Sequence, residues 1–234
     1  MLQILLAVAA VGTTPLQVGL TCSTTDHTAS TDPGLREECD HMRFLLSIIN
    51  NKTDGFMDGV LPGVELVTHD GGCCDCPSEN VSTVMRNIYA NIRTAMPNLT
   101  AILGGQCSGA LASMTSASYR EALGERPHLF LSGSSTAPSI ANNSEFPNVI
   151  RTVSDEVAIA EAVAAFAWEH NGWRRVGVVS TSDEMWSIES ADAFERIWKQ
   201  RGGEVLRAPS SVVQRSVCAA ADSDQPNSAA RVAA

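Results

Sequence analysis

The chain has 234 residues and a net charge of −10, from 16 Lys and Arg against 26 Asp and Glu. That acidic excess excludes sequence-independent nucleic-acid binding and docking on anionic lipid, both of which need clustered Lys and Arg. Apolar residues make up 44%, enough to build a core in one or two domains and to exclude wholesale disorder.

In chain order, Leu2 to Val11 is almost wholly apolar and ends in small residues around Ala9, Ala10 and Gly12. Its length matches a signal-peptide core and is too short to span a bilayer, so residues 1–14 are expected to be an export signal. No positive charge separates Met1 from Leu2, which leaves a buried strand or an N-terminal helix as the other reading. Leu16–Leu20 reads as a strand. A helix begins near Leu35, with Met42, Leu45, Leu46 and Ile49 at helical spacing, and Gly59 to Gly63 makes a turn. Val64–Thr68 is a second strand, followed by a cysteine-rich loop from Asp70 to Pro77.

A second helix is expected from about Ser78, with Val81, Val84, Ile88 and Ile92 on one face. Leu99–Leu103 is a third strand ending at Gly104-Gly105, a helix runs from Ser108 to Leu123, and Leu129–Leu131 and Asn148–Arg151 are further strands. Ala158–His170 is an alanine-rich helix closed by Gly172. Val176–Val179 is a strand and Ile188–Gln200 a helix. From about Val217 the pattern lapses into an irregular tail. Strands alternating with helices predict a three-layer α/β lobe with a parallel sheet over residues 15–152, an incomplete second lobe over 153–216 and a tail over 217–234.

In such sheets ligands sit beyond the carboxyl ends of strands, against helix N-termini. Two stretches fall there. Gly104-Gly105-Gln106-Cys107-Ser108 offers backbone N–H groups and a hydroxyl for a carboxylate or phosphate, although Ser108 could equally be a plain helix cap. Ser132 to Pro138 offers Ser134, Ser135 and Thr136, or is an ordinary polar loop. Seven cysteines and four sequons, at Asn51, Asn80, Asn98 and Asn142, agree with export and with glycosylation at those asparagines. Cys73-Cys74-Asp75-Cys76 lacks the second ligand pair of a zinc site, so no metal and no cofactor is expected. A cysteine nucleophile at Cys107 with His128 or His170 as base is conceivable on residue types alone, but no nucleophile signature surrounds it, and catalysis is not expected.

Several pieces now stand in a fixed order: Leu61-Pro62-Gly63 before the second strand, Asp70 to Cys73, Gly105 to Ser108, Ser132 to Pro138, Phe146-Pro147 to Arg151-Thr152 and Ser154-Asp155, and Gly172-Trp173 before Val176. The set resembles the ligand-binding regions of receptors with the type I periplasmic-binding fold, most closely the GABA-B and metabotropic glutamate receptors among class C G-protein-coupled receptors. The resemblance covers about residues 16–207. It implies an extracellular, cell-surface module whose two lobes close on a small ligand such as an amino acid, with membrane and signalling parts elsewhere in a longer protein and with pairing of two copies through the first lobe. Ser108, Ser134, Ser135 and Thr136 would hold the ligand carboxylate, Asp155 would meet the amine, and Trp186 would cover the ligand. The family also pairs cysteines equivalent to Cys73 and Cys107; Cys22 with Cys39 is a separate, weaker expectation, and since seven cysteines leave at least one unpaired, Cys218 is expected to be left over. The turn from Asp183 to Trp186 lacks the family's usual glycine, and the later strands of the second lobe are missing. The competing readings are a soluble solute-binding protein of a transport system and, from another class, a secreted α/β hydrolase.

Overall fold

The computed structural model describes residues 15–21, 33–71, 81–117, 119, 128–181, 184–206 and 212–213. The expected N-terminal signal, Asn80, Cys73 and the tail lie outside them. The elements are β1 (Leu16–Leu20), α1 (Pro33–Asn50), β2 (Leu66–Asp70), α2 (Val81–Ala95), β3 (Leu99–Leu103), α3 (Ser108–Thr115) and β4 (Leu129–Ser132). A single 3-10 turn (Pro138–Ala141) precedes β5 (Val149–Arg151) and α4 (Glu156–Ala165), whose end winds as a π turn over Phe166–His170. Then come β6 (Arg175–Gly177), β7 (Ser180–Thr181), α5 (Met185–Gln200), β8 (Glu204–Leu206) and β9 (Val212–Val213).

The first five strands form one parallel sheet in the order β2-β1-β3-β4-β5. The chain moves outward from β1 to β2, then returns to the other side of β1 with β3. That reversal opens a crevice at the carboxyl ends of β1 and β3. β1 is an interior strand between β2 and β3, with Leu16, Val18 and Leu20 buried in one core together with Leu46, Leu61, Val64 and Leu66. The opposite core is built by Met85, Ile88, Tyr89 and Ile92 of α2, Ile102 of β3, Leu111 and Met114 of α3 and Phe130 of β4. The burial spacing of α2 fits one helical face. A Cβ added at Gly19 of β1 would stand 2.4 Å from an Ile92 methyl, so α2 lies flush on the sheet there.

Departures from the expected elements have local causes. β2 starts two residues late, because the Val64 N–H turns back to Leu61 O at 3.1 Å. Its outer edge is met by Asn50, whose amide donates to Leu66 O at 2.7 Å and accepts from Leu66 N–H at 2.8 Å, imitating a strand neighbour. Leu45, at the margin of the α1 stripe, is 50% exposed instead of buried. α3 is interrupted after Thr115, where Ser116 turns extended and the Ala117 N–H goes to Glu145 O at 2.9 Å; Ala117 and Tyr119 are helical again, and the rest of the stretch expected up to Leu123 lies outside the described residues.

The C-terminal elements pair as β6 with β8 and β7 with β9, all parallel. Their small core is Ala160, Ala164 and Ala167 against Ala193, Ile197 and Trp198. Three alanines on one side let α4 and α5 approach closely. Trp198 is fully buried, lies edge-on to Trp168 and donates its indole N–H to Glu204 O at 3.2 Å.

Candidate ligand site

The crevice between β1 and β3 is closed at its base by Thr21, a fully buried residue directly after β1. Its Oγ1 accepts the Gly105 N–H at 2.7 Å, while its own N–H donates to Leu103 O at 3.0 Å. Gly104 and Gly105 adopt φ of 128° and 70°, backbone that side chains rarely take. A Cβ on Gly104 would fall 1.9 Å from Thr21 Oγ1, so the close approach needs glycine twice over.

This turn and the turn after β4 are sewn together. The Gly105 carbonyl accepts from the Ser132 hydroxyl at 3.1 Å and from the Ser135 hydroxyl. The Gln106 carbonyl accepts from the Ser134 hydroxyl at 2.9 Å. Ser108 does not cap α3. Cys107 occupies the cap position without a side-chain bond, and Ser108 Oγ instead accepts the Ala137 N–H at 3.1 Å. The first turn of α3 therefore keeps N–H groups without a side-chain cap, the arrangement that favours an anion.

The four hydroxyl residues expected from the sequence thus share one place, but in different roles. Ser108 and Ser135 are buried and hold the turns together. Ser134 and Thr136 are half-buried, and the Thr136 hydroxyl makes no hydrogen bond to a described residue. Behind them Arg151 donates to the carbonyls of Ser135 at 3.3 Å and Ala137 at 3.0 Å, fixing the turn from the β5 side. That role was not legible from the motif containing Arg151.

Asp155 follows directly. Its Oδ1 accepts the Ala158 N–H at 3.1 Å and caps α4, while Oδ2 stands 3.9 Å from Arg151 Nη2. Trp186 is placed elsewhere: on α5 it is 41% exposed and lines a groove of about 370 Å³ with Ile159, Val163, Val179 and Phe194. Sequence reasoning also missed Glu189 of α5. Its two carboxylate oxygens accept the Ser139 N–H and the Ser139 hydroxyl, each at 2.8 Å.

The groups considered for catalysis are engaged otherwise. Cys107 is disulfide-bonded, and a cystine sulfur is no thiolate nucleophile. His128 Nδ1 meets the Tyr89 hydroxyl at 2.8 Å, and His170 stacks on Phe166. Among the described residues no group of three His, Cys, Asp or Glu side chains is placed to hold a metal. No described helix is long and apolar enough to cross a membrane. Asn51, Asn98 and Asn142 are exposed.

A family model described as receptor family ligand binding region matches residues 43–230. The chain belongs to that family. Among solved structures, the leucine binding protein LivK of Thermotoga maritima superposes with a TM-score of 0.60 at 18% identity, over 85% of this chain and 49% of that one. This chain of the ligand-binding family therefore has the α/β fold of type I periplasmic-binding proteins and spans about half the length of that relative. No curated protein matches the sequence.

Proposed function

We propose that this chain is the extracellular ligand-binding region of a receptor, and that it takes a small zwitterion of the amino-acid class at the paired strand-end turns. One observation carries the reading. Two hydroxyl-bearing turns, Gly104–Ser108 and Ser132–Ala137, are laced together at the reversal point of the sheet, beside a helix start without a side-chain cap. Backbone N–H groups there, with the Thr136 hydroxyl, form a donor set suited to one carboxylate, while the Ser134 hydroxyl proton is already given to the Gln106 carbonyl. Ser108 and Ser135 support that set from beneath. Asp155 would meet an amine through Oδ2, in exchange for its 3.9 Å contact with Arg151 Nη2, and Trp186, which lines a separate groove on α5, would be the aromatic wall that the resemblance implies. Pairing of Cys107 with Cys73 would tie the β2 end to the same turn, and Asn51, Asn80, Asn98 and Asn142 would carry glycans on an exported chain.

The name of the leucine binding protein makes L-leucine the first probe. Calorimetric titration should give weaker binding to Thr136→Val than to the parent by roughly ten- to a hundredfold, the effect of losing one charge-assisted hydrogen bond. Equal binding by both chains would remove the carboxylate from this turn. Receptor and transport binder differ in what the full transcript encodes: membrane spans select the first, a stop after a completed second lobe selects the second.

A further inference from the structure

α5 belongs to two neighbourhoods. Its C-terminal half supplies Ala193, Ile197 and Trp198 to the small C-terminal core. Its first residue, Met185, packs against the core that α2, α3 and the five-stranded sheet share. One turn further along, Glu189 takes both donors of Ser139, which lies in the 3-10 turn that continues directly from the hydroxyl turn Ser132–Ala137. The next residue, Ser190, donates its hydroxyl to Glu156 at 3.0 Å. Glu156 in turn donates its N–H to the Thr136 carbonyl at 2.9 Å. Adjacent residues of one helix thus reach both ends of the same first-sheet segment, Thr136 through Glu156 and Ser139 directly.

We infer that Glu189 is a positioning residue, a two-pronged clasp that fixes α5 against the turn after β4 and so sets where Trp186, three residues earlier on the same helix, stands relative to the hydroxyl turns. A carboxylate that accepts an N–H and an O–H from one residue fixes direction as well as distance, which an apolar contact such as that of Met185 does not. Both partners are half-buried, so water competes only in part for the two bonds. The inference extends the ligand reading, because it names what places the aromatic wall. Its test uses no ligand, so the two stand or fall separately.

The experiment compares the 234-residue parent with Glu189→Ala, Glu189→Gln and Ser139→Ala by amide hydrogen exchange and by residual dipolar couplings, which report the orientation of α5 against the five-stranded sheet. In Glu189→Ala the Ser139 amide should exchange roughly ten- to a hundredfold faster, with α5 reoriented and the core amide of Ile102 unchanged. Glu189→Gln keeps the length of the side chain and one acceptor oxygen, so it should restore most of the orientation. Ser139→Ala, which removes only the hydroxyl prong, should fall between parent and Glu189→Ala. An unmoved α5 would overturn the inference, even with faster Ser139 exchange, because Met185 would then suffice to hold the helix. Equal acceleration at Ser139 and Ile102 would overturn it too, by showing general loss of stability instead of a lost clasp.

Discussion

The two halves of the molecule obey the same strand–helix rule and reach different degrees of closure. In the five-stranded sheet β1 has a neighbour on each side and a core on each face, and residues such as Ile92, Ile102, Leu111 and Met114 are fully buried. In the C-terminal group β6 pairs, among the described residues, only with β8, and apolar residues of α4 and its surroundings stay open: Val163 is 51% exposed, Phe166 58% and Val179 70%. The difference shows that alternation of strands and helices specifies local pairing, whereas burial depends on how many such units stack. The turns that carry the proposed site belong to the closed half. Precise placement of donors needs packed neighbours, and that half provides them.

The contrast can be broken by mutation. Phe130→Ala should cost the most, about 3–5 kcal/mol, because it empties a site in the continuous core around Tyr89 and Ile102. Chemical denaturation would measure this, and a loss under 1 kcal/mol would mean that the first core is not the stable one. Gly104→Ala should follow at about 3 kcal/mol, since the new methyl group strikes the Thr21 hydroxyl on backbone that already disfavours side chains. Val163→Ser should change stability by no more than about 0.5 kcal/mol, because half of the valine faces solvent and both residues have similar helix propensity. A cost for Val163→Ser comparable with that of Phe130→Ala would erase the distinction between the halves.

The first half was the more legible in sequence for the same reason. β1 and β3 begin and end where their apolar runs do, and α2 buries the face its spacing marks. Both turns of the site were visible as glycine and hydroxyl residues after strands. What escaped were contacts between residues far apart in the chain. Thr21 under Gly105, Arg151 on the carbonyls of Ser135 and Ala137, and Glu189 on Ser139 leave no periodic trace, because each depends on how separate elements meet. The strand over Glu204–Leu206 was also missed: three residues are too short to show alternation, and its place depends on β6 beside it.

The most direct test of the proposed site is an amide chemical-shift map of the 234-residue chain with L-leucine, set against the same titration with L-leucinamide, which lacks the carboxylate. The account predicts that leucine moves the amides of Gly105, Gln106, Ser134 and Thr136, and that leucinamide leaves them largely in place. Equal shifts with both compounds, or shifts confined to the groove of Ile159, Val179 and Trp186, would contradict it.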